Sequence, residues 1–126
     1  MRRFRIGIGL LAVFLLAGFW VGSRMHRIHT PIAQALSRAE ERAEAGDWAQ
    51  AERLTRQARD QWDRHRDFSA AFCNHQPMDE IDARFRELEI YLARQQETAY
   101  RAQCLYLSER LEDLAESFRL RWWNLL

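Results

Sequence analysis

His75, Asp79 and Asp82 are the residues whose types and spacing come nearest to chemistry. One imidazole and two carboxylates make a donor set that a divalent metal accepts. On a helix beginning at Pro77, Asp79 and Asp82 share a face and His75 lies in the preceding turn. A simpler reading uses the same residues. Asp79 falls in the first helical turn, where a carboxylate satisfies free N–H groups and opposes the helix dipole, and His75 caps or packs at the turn. We take the simpler reading, so no metal or cofactor is expected.

Nucleophilic catalysis finds less support. All 19 basic residues are Arg, which excludes a lysine nucleophile, a Schiff base and a P-loop lysine. No Ser-His-Asp spacing, Gly-rich loop or HExxH motif is present. His65 lies on an apolar stripe, where an imidazole reads as a packed, hydrogen-bonded side chain rather than as a base. Cys73 and Cys104 are the only cysteines. Folding the chain back at Gln96 sets Cys104 level with Leu88, about 15 Å along the axis from the turn that holds Cys73. That predicts two unpaired, largely buried thiols. The chain is therefore read as no enzyme.

The remaining candidates are surfaces. Arg53, Arg56, Arg59, Arg64 and Arg66 are interleaved with Glu52, Asp60, Asp63 and Asp67, which makes a solvated mixed-charge face and not a nucleic-acid patch. Trp48, Trp62, Trp122 and Trp123 are candidate interaction residues, with core packing as the alternative for each. Trp122 and Trp123 are also candidates for contact with a membrane surface.

Two regions of opposite character must position these residues. The whole chain of 126 residues carries a formal charge of +1. Residues 1–30 hold five Arg and no acid, and residues 31–126 carry −4. After a cationic start at residues 1–5, Ile6 to Ser23 runs without a charge. As a helix this segment spans about 27 Å, close to a bilayer's hydrocarbon thickness. We read residues 6–23 as a transmembrane signal anchor, with the N-terminus in the cytoplasm and the rest outside. The alternative is a signal peptide cleaved near Ser23, after the small residues of Val21-Gly22-Ser23.

Residues 24–30 then form a juxtamembrane linker, and residues 31–126 an extracytoplasmic all-α domain. Thr30-Pro31 reads as a helix start, with Thr as cap and Pro at the first position. Ile32, Leu36, Ala39 and Ala43 mark the inner face of that first helix, and Gly46-Asp47 ends it and caps the next. The second helix runs from Trp48 to about Cys73, with Trp48, Ala51, Thr55, Ala58, Trp62, His65, Ser69 and Phe72 as its stripe. The third and fourth helices, 78–95 and 98–117, carry Met78, Ile81, Phe85, Leu88 and Leu92, then Cys104, Leu107, Leu111, Leu114 and Phe118. Gln95-Gln96-Glu97 separates them without Gly or Pro, so one long helix is the alternative. The apolar tail from Arg119 to Leu126 is expected to pack back on the bundle. The fold class is thus an N-terminal transmembrane helix followed by a bundle of about four helices in two antiparallel, repeat-like hairpins.

Two resemblances follow. Ala45-Gly46-Asp47-Trp48-Ala49-Gln50-Ala51 with Ala58 resembles the turn and second helix of a tetratricopeptide repeat, and the second unit around Gln95–Ala102 matches that pattern poorly. Over nearly the whole chain, Asp47-Trp48, Ala51, Trp62, Asn74-His75, Met78-Asp79-Glu80-Ile81-Asp82, Leu88, Tyr91 and Asn124 resemble a domain-of-unknown-function family. Its members are small proteins of spore-forming Gram-positive bacteria, with a hydrophobic segment before a helical domain. The Cys pair, the absence of Lys and Trp122-Trp123 depart from that pattern. The resemblance implies an anchored helical domain and no activity. Together these features lead us to expect a non-catalytic module that binds a protein partner or its own copy at the outer face of the membrane.

Overall fold

Apolar residues at spacings of three and four leave each helix one face to bury, and the computed structural model buries these faces against each other. It describes residues 1–72 and 75–124, with all their side chains except those of Ser69, Phe72, His75, Phe118, Arg119 and residues 121–124. The chain forms α1 (Arg2–Glu44), α2 (Trp48–Phe72), α3 (His75–Ala93) and α4 (Glu97–Asn124), with no strand among the described residues. α1 packs most extensively on α4 and α2, and α3 closes the ring against the same two helices. Ile32, Leu36, Ala39, Ala51, Ala58, Trp62, Phe85, Leu88, Tyr100, Cys104, Leu107 and Leu111 are fully enclosed in one core.

The expected helix start at Thr30-Pro31 is corrected. α1 runs through it without interruption, and residues 24–30, expected as a linker, are helical. A proline inside a helix removes one hydrogen bond and costs about 3 kcal/mol. Here Met25, Ile28 and His29 before Pro31 and Ile32, Ala33 and Leu36 after it are all buried. Each large apolar side chain so buried contributes about 1.5–3 kcal/mol. Packing on both sides therefore outweighs the proline. The bundle thus contains four helices in all, the first continuous with the apolar N-terminal segment.

Both hairpin turns close in the same way. At the end of α1, the Gly46 N–H donates to the Ala43 carbonyl at 3.0 Å and the Asp47 N–H to Arg42 at 2.8 Å. At the end of α3, Gln95 donates to Leu92 at 3.1 Å and Gln96 to Tyr91 at 3.0 Å. This paired closure needs a left-handed residue, supplied by Gly46 at φ 78° and by Gln95 at φ 51°. α3 and α4 are therefore separate, and the single long helix is excluded. Asp47 then caps α2, its Oδ1 accepting from the Gln50 N–H at 3.3 Å. α3 begins at His75, two residues before the expected proline start. α4 continues through the expected tail to Asn124, because no Gly or Pro stops it.

The two turns lie 49 residues apart, and so do the core positions. His29, Ile32, Leu36, Ala39, Ala51, Thr55, Ala58 and Trp62 correspond to Met78, Ile81, Phe85, Leu88, Tyr100, Cys104, Leu107 and Leu111, and all sixteen are buried. The first hairpin is the one with small residues. Ala51, Ala39 and Ala58 answer Tyr100, Leu88 and Leu107, and Trp62 is the one large exception.

Candidate functional site

Asp79 and Asp82 stand in the first two turns of α3, which packs on α2. They do come together, and what they hold is an arginine. Arg66 Nε donates to Asp82 Oδ2 at 2.8 Å, and Arg66 Nη2 to Asp79 Oδ1 at 3.2 Å. Asp82 Oδ1 accepts from the Trp62 indole N–H at 2.7 Å. Trp62 has no exposed surface, so Asp82 supplies the acceptor that makes burial of its indole possible. The side chain of His75 and all of Cys73 lie outside the described residues. Among those described, no group of three His, Cys, Asp or Glu side chains is placed to hold a metal ion.

On the arginine face of α2, Arg56, Arg59 and Arg66 pair with carboxylates, and Arg64 Nε donates to the Asp60 carbonyl at 3.3 Å. Arg56 bonds Glu52, and Arg59 bonds Asp63 at 3.1 Å, each one helical turn away. Arg66 reaches across to α3 as described. Two further networks were not foreseen. Glu80 accepts from Tyr106 Oη at 2.7 Å and from Arg110 at 2.6 Å, joining α3 to α4. The Tyr106 hydrogen bond first, and then the Arg110 one, hold the Glu80 carboxyl below its ordinary range. Arg101 on α4 reaches Glu40 at 2.7 Å and Glu44 at 3.3 Å, joining α4 to α1. No local spacing marks these pairs, since their members lie 26 to 61 residues apart.

The buried titratable groups are held in their neutral forms. Burial pushes the Cys104 thiol up to about 12, and Cys104 is free. Burial likewise raises the Tyr100 hydroxyl, which sits 2.6 Å from Thr55 Oγ1. Neither is poised as a nucleophile at neutral pH. His29, fully enclosed beside the Trp62 ring at 6.0 Å, is lowered to about 4 by burial and by nearby His65. Trp48 is partly buried with its ring edge-on to Tyr100 at 5.6 Å. The side chains of Trp122 and Trp123 lie outside the described residues.

The most distinctive surface is at the other end of α1. Ile6, Leu10, Val13, Leu16, Phe19 and Trp20 are exposed, and an 18-residue window of this segment has mean hydropathy 2.1 with 6% of it buried. It is a candidate membrane span. Burial begins at Gly18 and Val21, where Val21 and Met25 pack with Phe68 of α2. Along α1 from Val13 to Pro31, spanning this level, runs a groove of about 890 Å³ that Gln61 and His65 of α2 also wall.

Comparison with known proteins follows the same boundary. No curated protein and no solved structure matches the chain. Residues 19–125 match a family described as Domain of unknown function (DUF4363), starting one residue after Gly18, where α1 first becomes buried. With that match covering the entire bundle, the chain belongs to the DUF4363 family.

Proposed function

We propose that this chain is a single-pass, membrane-anchored, non-catalytic module that binds a protein partner or a second copy of itself at the outer face of a bacterial cytoplasmic membrane. The observation that carries the reading is the continuity of α1. One helix passes from an exposed apolar segment directly into the core, so the anchor and the bundle are a single body. Val21, at 7% exposure, and Gly18 belong to the packed part of the helix. Cleavage near Ser23 would remove both, which favours a retained anchor over a secreted domain.

Arg2, Arg3 and Arg5 precede the span and favour an inside N-terminus. Arg24 and Arg27 follow it and act against that bias, but Arg24 lies over the Trp20 and Phe68 rings at 5.8 and 5.5 Å. The bundle itself offers Ile90, Leu105 and Leu120 at 50% exposure or more for contact with another protein. Cross-linking in native membranes, followed by detergent extraction and light scattering, tests the interaction reading. The expected result is a cross-linked adduct or a dimer. A monomer with no adduct refutes it. Protease added to intact spheroplasts should digest the bundle, and protection of residues 31–126 refutes the topology.

A further inference from the structure

We infer that the groove between α1 and α2 holds the phosphate headgroup and one acyl chain of an anionic glycerophospholipid. The inference rests on the membrane reading above and adds a defined ligand to it. The groove has two chemically different halves. Toward the N-terminus its wall is Val13, Leu16 and Trp20, continuous with the exposed face of the span. Toward the bundle it is Arg24, Arg27, Gln61 and His65. Among the described residues no acidic side chain lines it.

Both halves match a lipid in length and charge. Val13 and Arg24 are separated by eleven helical positions, about 16 Å, which is the depth of one leaflet of a hydrocarbon core about 30 Å thick. A chain lying against Val13, Leu16 and Trp20 therefore places its phosphate at Arg24 and Arg27. Among the described residues neither arginine forms an ion pair with a carboxylate, as is also true of Arg53 and Arg64 on α2, but Arg24 and Arg27 are the ones that line the groove. The Arg24 guanidinium lies over the Trp20 and Phe68 rings at 5.8 and 5.5 Å, a contact that engages its face and not its N–H edge.

One amide from α2 borders the polar half. Gln61 Oε1 is buried with no hydrogen-bond partner among the described residues. Two cations with no acid beside them suit the net negative charge of a phosphatidylglycerol headgroup better than a choline one, whose own cation offsets its phosphate.

The full chain, extracted in a non-ionic detergent, tests this by native mass spectrometry after exchange with phosphatidylglycerol, phosphatidylcholine or inorganic phosphate. One phosphatidylglycerol per chain should be retained, about tenfold or more over phosphatidylcholine, and inorganic phosphate should not displace it. Arg24→Gln/Arg27→Gln should lose that preference, while Arg2→Gln/Arg3→Gln/Arg5→Gln should keep it. Arg27→Gln alone, which preserves the Arg24 stack, serves if the double variant fails to fold. Equal retention of both lipids by the native chain, unchanged preference in a folded Arg27→Gln variant, or displacement by inorganic phosphate each overturns the site. Alkaline extraction separates the two readings. A chain released from membranes refutes the anchor, and a chain that stays in them without lipid preference refutes the groove alone.

Discussion

Acidification should weaken the bundle through His29. The imidazole is enclosed by the core, beside Trp62 and near His65, and stays neutral in the fold down to about pH 4. In the unfolded chain it takes its proton near 6.5. Between these values the unfolded chain binds more protons, so stability falls as pH falls. The contribution is intact above about 6.5 and fully lost below about 4. A gap of about 2.5 pH units at about 1.4 kcal/mol each comes to about 3 kcal/mol, a large fraction of the 5–15 kcal/mol typical of a domain. The perturbation is His29→Met, which installs the side chain found at the corresponding position of the second hairpin, Met78. Urea unfolding of both proteins in detergent micelles, followed by tryptophan emission from about pH 7 to about pH 4, measures the difference. Carboxylates titrate in both and cancel. The native chain should lose about 3 kcal/mol more than the variant. A difference that stays flat to within about 0.5 kcal/mol over that range refutes the argument.

Asp82→Ala should cost about 1–3 kcal/mol, because it leaves the buried Trp62 indole N–H without an acceptor. Asp79→Ala, whose side chain is 73% exposed, should cost no more than about 0.5 kcal/mol; equal losses in urea unfolding would contradict the assigned roles. Gln95→Gly should stabilise by about 0.5–1 kcal/mol by relieving a left-handed side-chain residue, and a lower melting temperature would refute the αL closure. In a Cys73→Ser background, Cys104 should resist alkylation at about pH 8 until denaturant is added, and prompt labelling of the native protein would show the thiol to be accessible.

The periodic stripes carried most of the fold. Ile32 to Ala43, Ala51 to Trp62, Met78 to Leu88 and Cys104 to Leu114 are buried where spacing put them. What spacing did not disclose is where local and tertiary preferences disagree. Thr30-Pro31 is a strong local start signal, overridden because residues on both sides pack against α2 and α4. Gln95 occupies a position that usually favours Gly, so the exact repeat of the turn at Gly46 was hidden by its side chain. The repeat itself was hidden for a related reason. Ala39, Ala51 and Ala58 against Leu88, Tyr100 and Leu107 share burial but not volume, and similarity of letters misses that. At the candidate site, the proximity of Asp79 to Asp82 followed from helical spacing. Their partner Arg66 and the indole of Trp62 come from another helix, and only the packing reveals them.

The unbroken α1 makes the bundle a post rather than a buoy on a string. A flexible linker would let a domain swivel and sample any height above a bilayer. Here exposure gives way to burial within the helix itself, with Gly18, Val21 and Met25 buried on one face while Phe19, Trp20 and Arg24 stay exposed on the other. With the span embedded and Arg24 at the headgroups, the turn at Gly46 stands about 33 Å higher, at about 1.5 Å per residue. Tilt or rotation of the embedded segment must then be carried undamped to that far turn. A partner would meet this protein at one height and one facing, both set by how α1 lies in the bilayer.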